Sequence, residues 1–354
     1  MAVRPILPRS VTRVTGLSER PVFFVTLNNE PQPALVVKGE NKVGDDEDVK
    51  ASVRWASKMM KNVNNPLVNS KPLMPEEWSV FKKAAILAFH PTSPQSRNLR
   101  NAGYLWIKMP FVANLSDADF VNEDATTNTS DVKEVLRKFL REQVWRDLGK
   151  VVAVDLFVCN LDRFDWENFD EAQGRGVTWA NRGNIMFVGA NVIGLDPYFA
   201  DRGGDGNANL NKVRPGAQSG LEILRDPLKR PQFALACTRA VSDELYSRMG
   251  GRMQGQGQNR RQVRGEMAYV VIRTDDPNNP TLRIEREDVK DLFNPFVDEF
   301  LGGLNAGADE LKRYLLAKKT KYARPVMGGY RNPNPAPAKS IPQGIQDRMN
   351  FLHW

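Results

Sequence analysis

Short apolar runs bounded by turn residues fill the beginning of the chain. Residues 13–39 contain three of them, RVTGL, PVFFVTLN and PALVVKGE, with Ser, Asn, Pro and Glu in the intervening turns. Runs of this length, rich in β-branched and aromatic residues, are typical of strands. We therefore predict a β-meander in which Lys38 ends the apolar stretch of the third strand.

Helical spacing follows the meander. An acidic cluster at residues 45–48 opens a segment with one apolar stripe, formed by Val49, Val53, Ala56 and Met60. A similar stripe recurs over residues 75–89, so two helices are predicted. The next apolar segment, AGYLWIKMPFVANL, predicts a strand that runs into an extended connector.

Polar side chains adjoin three apolar runs in the middle of the chain. A helical pattern that begins at Ser130 becomes almost wholly apolar after Lys150 and leads to Asp162. Asn184 opens the run IMFV, and Asp196 closes the run NVIGL. An apolar run that ends in a carboxylate indicates the boundary between a buried element and a cleft. We therefore expect these three side chains to meet at one cleft.

These residue types suit phosphoryl transfer from ATP. The reaction needs a divalent cation between the phosphates, hard oxygen ligands for that cation, and a carboxylate that orients the attacking hydroxyl. Asp162 is the candidate for the hydroxyl, and Asn184 and Asp196 are the candidates for Mg²⁺ or Mn²⁺. Asp155, inside the same apolar run as Asp162, fits a buried polar anchor better than a catalyst.

The order of these motifs also resembles a known family. N-x-D-R, then W-x-N-x-G-N-I-M, then I-G-L-D resembles the catalytic core of atypical protein kinases of the actin-fragmin kinase type, most clearly over residues 34–199. The phosphatidylinositol kinases are more distantly similar. The resemblance implies that Asp162 is the catalytic carboxylate and that Asn184 and Asp196 are the metal ligands.

The resemblance also assigns the nucleotide site. Lys38 would hold the phosphates of ATP, as the lysine of the third strand does in kinases, and an acid of the next helix would pair with it. Glu47 is the first candidate for that acid and Asp48 is the reserve. The backbone between Met109 and Val112 would be the hinge that holds the adenine, with Trp106 in the wall of the pocket.

Several features depart from ordinary kinases. The insert Phe164–Gly183 between Asp162 and Asn184 is unusually long, so it must fold back to bring the two together. It is either a surface loop or a segment that helps to present the acceptor. Pro197 follows Asp196 where ordinary kinases have Phe-Gly, and no G-x-G-x-x-G motif lies upstream. Within the Asp162 loop, Asn160 is expected to donate or accept orienting hydrogen bonds, and Arg163 to pair with an acid.

The predicted fold class is α+β, with a bilobal protein kinase-like architecture. Residues 1–110 would form a small β-rich lobe, and residues 111–323 a mainly helical lobe with the catalytic and metal-binding loops. Residues 324–354 are a Pro/Asn-rich tail, expected to extend along the surface or stay disordered, with a final MNFLHW that either docks into a groove or binds a partner. The glycine- and arginine-rich stretch near residues 250–265 is predicted to be a basic linker.

Charge and cysteine content indicate which kinds of partner and which cellular location to expect. The formal net charge is +8 and the isoelectric point is about 9.4, which favours acidic partners: anionic protein surfaces, phosphoinositide membranes (anionic lipid) or nucleic acid. No specific nucleic-acid motif is present. Two cysteines without a Cys/His cluster exclude a disulfide framework and a structural zinc site. No secretory signal or membrane-length apolar run is found, so we expect a cytoplasmic protein, or one secreted into another cell without a cleaved signal.

The leading hypothesis is an ATP-dependent Ser/Thr protein kinase of atypical type that uses Mg²⁺. Two alternatives keep the same nucleotide site, a lipid kinase and an enzyme that transfers AMP. A third alternative is a non-catalytic binding protein that has a kinase fold. The protein acceptor is implied by the resemblance and not by the residues.

Overall fold

A five-stranded antiparallel sheet forms the amino-terminal part of the protein. Its strands are β1 (Val11–Gly16), β2 (Val22–Leu27), β3 (Leu35–Asn41), β4 (Lys71–Pro72) and β5 (Tyr104–Pro110). They lie in the order β1-β2-β3-β5-β4. The predicted β-meander is confirmed as β1 to β3.

The structure is a computed structural model. It describes residues 3–17, 21–41, 46–64, 69–112, 116–117, 129–180, 185–189, 191–194, 200–201, 207–208, 215–250, 252–254, 261–264, 266–274, 277–323 and 340–354.

Three helices accompany the sheet. α1 (Asp46–Val63) follows β3, and α2 (Pro75–Ala88) and α3 (Pro94–Arg100) lie between β4 and β5, so both predicted helices are confirmed. Because side chains alternate along a strand, the sheet has two different faces. α2 and α3 close a hydrophobic core on the face that carries Val37 and Trp106. α1 lies on the opposite face, where Val53 packs against Leu105 and Ile107.

Helices dominate the rest of the chain: α4 (Thr129–Phe139), α5 (Glu142–Val158), α6 (Pro215–Arg225), α7 (Arg230–Met249), α8 (Val297–Ala323) and α9 (Gln343–Phe351). α5 is buried along most of its length and lies at the centre of a second, larger core. The second half of α1 contributes Met59, Met60 and Val63 to this core. α1 therefore contacts the sheet at one point and the helical part at another.

Short strands complete the structure: β6 (Ser116–Asp117), β7 (Phe164–Asp165), β8 (Thr178–Trp179), β9 (Ile185–Val188), β10 (Asn191–Gly194), β11 (Ala200–Asp201), β12 (Asn207–Ala208), β13 (Arg252–Gln254), β14 (Arg261–Arg264), β15 (Tyr269–Arg273) and β16 (Thr281–Glu285). β10, β9 and β6 form a three-stranded sheet. β13 pairs with β14, so the segment predicted to be a basic linker contains a two-stranded ladder.

The protein is thus α+β, as predicted, and its small antiparallel sheet and many helices are compatible with a two-lobed layout. In the described part of the chain, no helix is both long enough and apolar enough to cross a bilayer.

The carboxyl-terminal residues pack into the larger core. Ile341, Ile345, Met349 and Leu352 are all buried there, and the ring of Trp354 stacks on Phe157 of α5 with centroids 5.8 Å apart. Residues 340–354 therefore do not extend along the surface, and the final residues pack against the larger core. Residues 324–339 lie outside the described residues.

Two glycines allow α8 to lie directly on α5. A Cβ atom on Gly303 would lie 2.0 Å from the carbonyl oxygen of Arg146, and one on Gly149 would lie 2.2 Å from that of Phe300. Both neighbours are backbone atoms, which cannot move aside as a flexible side chain can. The close helix crossing therefore requires glycine at these positions.

We expect Gly303→Ala to lower the free energy of unfolding by about 1–3 kcal/mol, because the added methyl group overpacks this crossing. Urea unfolding measures the change. The neighbouring Gly302 is the control, since it is exposed and a Cβ there meets no atom within 4 Å. Gly302→Ala should raise stability by about 1 kcal/mol through helix propensity alone. Equal effects of the two substitutions would contradict the packing described here.

Candidate functional site

A buried ion pair holds the loop that carries Asp162. The guanidinium of Arg163 donates to both carboxylate oxygens of Asp155, at 2.6 Å each, and Arg163 is 0% and Asp155 1% exposed. Two parallel charge-assisted bonds fix both distance and orientation. Burial raises the pKa of the Asp155 carboxyl, and the Arg163 guanidinium opposes that rise. Asp155 is the buried anchor that the sequence predicted. Arg163 pairs with an acid, but that acid is on α5 and not, as expected from the sequence, within the loop.

Asn160 links the same pair to the backbone of Asp162. Its side-chain amide donates to Asp155 at 3.2 Å, and its side-chain oxygen accepts from the backbone amide of Asp162 at 3.1 Å. Cys159 ends α5 in the left-handed conformation, with φ of 58°, which turns the chain out of the helix. The predicted orienting role of Asn160 is confirmed. Asp162 itself is half-buried.

The insert after Asp162 folds back, as the sequence required. β7 pairs with β8, and the amide of Ala180 donates to the carbonyl oxygen of Arg163 at 2.9 Å. The insert is also more than a surface loop, since Trp166 and Trp179 are buried and the Trp166 ring packs edge-on against Phe233 of α7. The chain is thus returned to the Asp162 loop shortly before Asn184.

The β9–β10 hairpin lies between the two predicted metal ligands in the sequence. Asn184 and Asp196 themselves lie outside the described residues. Ile185, the first residue of β9, is the register partner of Gly194, the last residue of β10. The chain therefore enters the hairpin directly after Asn184 and leaves it two residues before Asp196 at the same end.

Three contacts fix the hairpin between α1 and α5. A Cβ atom on Gly194 would lie 2.6 Å from Val151 of α5 and 3.2 Å from Met60 of α1, so glycine lets the strand lie close to both helices. The side chain of Asn64 donates to the carbonyl oxygen of Val192 at 3.1 Å. The Asp147 carboxylate of α5 accepts from the amide of Val192, also at 3.1 Å. Burial raises the pKa of Asp147, and the hydrogen bonds from the Val192 amide and the Gln143 side chain oppose that rise.

Lys38 lies on the sheet face that α2 and α3 leave uncovered. It alternates with Val37, which is buried in the first core, and its register partner on β5 is Ile107. Its ammonium lies 3.0 Å from a carboxylate oxygen of Glu40, two residues along the same strand. Glu47 and Asp48 are in the first turn of α1, but their side chains lie outside the described residues.

Half-buried apolar side chains lie beside Lys38. Val36 precedes it on the same face and is the register partner of Met109, and the Phe24 ring meets Phe111 edge-on at 6.0 Å. Val112 follows, and within the described residues no backbone hydrogen bond involves it. Met109 thus belongs to an apolar surface that begins at Val36, two residues from Lys38 on the same face of the sheet, and the hinge role of Met109 and Val112 stays a prediction.

Trp106 does not belong to this surface. It is the neighbour of Ile107 on β5 and therefore points to the other face of the sheet. There it stacks on Trp78 of α2, with centroids 4.8 Å apart, within the first core. The prediction that Trp106 forms a wall of the nucleotide pocket is wrong.

A second lysine of the sheet, Lys108, has a structural role. Its ammonium forms a buried ion pair with Glu77 and donates to the carbonyl oxygen of Arg4 at 3.1 Å. Glu77 also accepts from the amides of Ile6 and Met74. Burial acts to raise the pKa of Glu77, but Lys108 and these amides hold it below its usual value. Lys38 is therefore the sheet lysine that borders the apolar surface.

Comparisons with known proteins do not assign the chain to a family or an activity. No family model, no curated protein and no solved structure matches the chain. Across the part of the chain that the structure describes, no group of three or more His, Cys, Asp or Glu side chains is placed to hold a metal ion.

Proposed function

We propose that this protein is an ATP-dependent phosphotransferase with a bilobal, protein kinase-like fold. The course of α1 supports this most strongly. Its Val53 packs on Ile107, the register partner of Lys38, and its Met60 borders Gly194, two residues before Asp196. Seven residues of helix span about 10 Å, so one rigid element joins the surroundings of Lys38 to the end of the β9–β10 hairpin.

ATP would lie beside α1, over the sheet face that α2 and α3 leave uncovered. Its adenine would pack on the apolar surface of Phe24, Val36 and Met109, and the backbone of Val112 would bond to the ring edge. The ammonium of Lys38 would donate to the phosphates. A largely apolar pocket with a few polar groups at one end is typical of nucleotide sites.

The Asp162 carboxylate would accept the proton of the acceptor hydroxyl. The hydroxyl oxygen then bonds to the γ-phosphorus, the bond from that phosphorus to the bridging oxygen breaks, and ADP leaves. Asn184 and Asp196 would bind Mg²⁺, which when bound neutralises charge on the phosphates. The resemblance to actin-fragmin kinases makes a Ser or Thr of a protein the proposed acceptor.

Binding of Mg-ATP gives the first test. At 100 times its dissociation constant the nucleotide should stabilise the protein by about 2.7 kcal/mol, which appears as a higher melting temperature. Lys38→Ala should weaken binding roughly 10- to 100-fold, because a charge-assisted bond to phosphate is lost. Lys71→Ala removes an exposed lysine of the same sheet and should leave binding unchanged. If Lys38→Ala binds Mg-ATP as tightly as the wild type, the proposed site is wrong.

Labelled nucleotide distinguishes the competing activities. Transfer of label from γ-³²P-ATP, but not from α-³²P-ATP, to protein supports a protein kinase. Label that enters protein from α-³²P-ATP supports AMP transfer, and label that enters lipid supports a lipid kinase. Binding of Mg-ATP without transfer to any acceptor would support the non-catalytic alternative.

A further inference from the structure

The outer face of α2 carries exposed apolar side chains. Ile86 and Leu87, in its last turn, are 45% and 81% exposed. Leu17 is 46% exposed and follows Gly16, where a Cβ atom would lie 3.3 Å from the Phe89 ring, directly after α2. Single apolar residues are common on protein surfaces, whereas several of them at one place indicate a contact site. This end of α2 therefore has the character of a binding surface.

Two lysines lie beside these apolar side chains. Lys82 and Lys83 come one helical turn before Ile86 and Leu87, so they are their neighbours on the helix surface. The ammonium of Lys82 lies 5.6 Å from the centre of the Trp78 ring. Among the residues that the structure describes, no carboxylate forms an ion pair with either lysine. Both positive charges can therefore meet an anionic partner.

The shape of this surface indicates the kind of partner. All the side chains that line it belong to α2: Trp78, Ser79, Lys82, Lys83, Ile86 and Leu87. A partner helix binds in a groove, whose walls contact it on both sides. A surface built on one helix has no such walls. Protruding apolar side chains with lysines beside them instead suit a bilayer, where the apolar groups insert and the lysines extend to the lipid headgroups.

We propose that these six side chains, the α2 surface, dock the protein on an anionic membrane. Ile86 and Leu87 would enter the boundary between headgroups and acyl chains, and Lys82 and Lys83 would bind the anionic headgroups. α2 covers the sheet face opposite Lys38, so the proposed nucleotide site would face away from the bilayer. The inference goes beyond the proposed function and does not depend on it.

Vesicle sedimentation tests the apolar part of the α2 surface. The full chain should sediment with vesicles of phosphatidylcholine and phosphatidylserine, and much less with phosphatidylcholine alone. Leu87→Ser should weaken binding to the anionic vesicles roughly tenfold, because a leucine no longer inserts. Leu228→Ser is the matched control, since Leu228 is also 81% exposed. Its neighbour Lys229 pairs with Glu171 and Glu222, so this control should bind as the wild type does.

The same assay tests the lysines. Replacing Lys82 and Lys83 together by Gln should weaken binding roughly 30-fold, since each lysine near an anionic surface contributes about fivefold. Lys318→Gln with Lys319→Gln is the control, because these lysines are also adjacent on a helix, α8, and the Lys318 ammonium lies 5.1 Å from the centre of the Tyr314 ring. The control changes the net charge equally and should bind within a few-fold of the wild type. Binding should also weaken as salt rises.

A fluorescent dye reports whether the α2 surface itself meets the bilayer. Cys159 and Cys237 are both buried, so a dye that is sensitive to polarity should label the exposed thiol of Ser79→Cys selectively. Ser79 is exposed, and its replacement keeps both apolar side chains of the last turn. The emission should shift to shorter wavelength on anionic vesicles and be quenched by nitroxide lipids. The same dye at Leu228→Cys should show neither change.

Several results would overturn the proposal. One is a folded wild type that does not bind anionic vesicles, and another is an equal loss of binding in a variant and its control. A dimer that Leu87→Ser dissociates would show that a second copy covers the surface. A dye at Ser79→Cys that responds to an acidic amphipathic peptide, but not to vesicles, would make the partner a protein. Thermal melting verifies folding, and Leu87→Ser should bind Mg-ATP normally, so failure at this surface is distinct from failure of the proposed function.

Discussion

Asp162→Ala is expected to abolish phosphoryl transfer and to leave the protein folded. A carboxylate that takes the proton of the attacking hydroxyl contributes roughly 10²- to 10⁴-fold to the rate. Hydrogen bonds of Asp155, Asn160 and Arg163 shape the loop, and the bond between Asp162 and Asn160 uses the backbone amide of Asp162. The substitution keeps that amide, so the loop should keep its shape.

The measurement is transfer of ³²P from γ-labelled ATP to protein acceptors in a lysate, with the melting temperature and the affinity for Mg-ATP as checks on folding and binding. Asp165→Ala is the matched control. Asp165 is also half-buried and lies three residues further on, in β7, where its carboxylate accepts from the amide of Glu167 at 3.1 Å. It should retain transfer within a few-fold of the wild type. Undiminished labelling by Asp162→Ala would refute the catalytic role.

Local patterns in the sequence predicted most of the small sheet and the Asp162 loop. The meander, the first two helices and the position of Lys38 in the third strand follow from period-two and helical spacing. Asp155 was recognisable as a buried anchor because it lies between Val154 and Leu156 in an apolar run. Each of these features is determined by residues that are close together in the chain. A local sequence pattern is therefore sufficient to predict it.

Features that depend on how two strands pair could not be predicted from the sequence. Trp106 was placed in the nucleotide pocket because it is an aromatic residue close to Met109. The pairing of Lys38 with Ile107 puts Trp106 on the opposite face, and a shift of one residue in register would have reversed this.

For residues 340–354 the prediction of an extended or disordered tail was wrong for a different reason. Its Pro/Asn-rich composition predicted an extended or disordered segment, yet Ile341, Ile345, Met349 and Leu352 recur at helical spacing and are buried. The guanidinium of Arg348 is also buried, and its charge and hydrogen bond act on Cys159 at the end of α5, where burial raises the pKa of the thiol. A short amphipathic helix acquires stability from the groove that receives it, and the sequence of the tail does not show that groove.

Arg163→Met is expected to give the largest loss of stability, about 3–5 kcal/mol at pH 7, because it leaves the Asp155 carboxylate buried without its partner. Replacing both residues, as in Asp155→Leu with Arg163→Met, removes the charge as well as its partner and should recover much of that loss. Urea unfolding of the wild type, both single variants and the double variant gives the coupling energy. Lys150→Met, which breaks the α5 ion pair with Glu310, should cost only about 0–1 kcal/mol.

The pH dependence of Arg163→Met follows from the same pair. Burial already raises the pKa of Asp155, and Arg163 opposes the rise, so removing the arginine should raise that pKa further. The folded variant then binds a proton that the unfolded chain has released, and its stability must fall as pH rises above the unfolded pKa of Asp. The deficit relative to the wild type should therefore be smaller at pH 5 than at pH 7. A deficit that grows on acidification would show that Asp155 is not the group left unpaired.

The double variant separates stability from function. It should fold, yet it lacks the two bonds that orient the loop between α5 and β7, and Asn160 loses its acceptor on Asp155. Phosphoryl transfer should consequently stay low while Mg-ATP binding, which depends on Lys38, is retained. Transfer at the wild-type rate in the folded double variant would mean that the Asp155–Arg163 pair stabilises the fold without positioning Asp162.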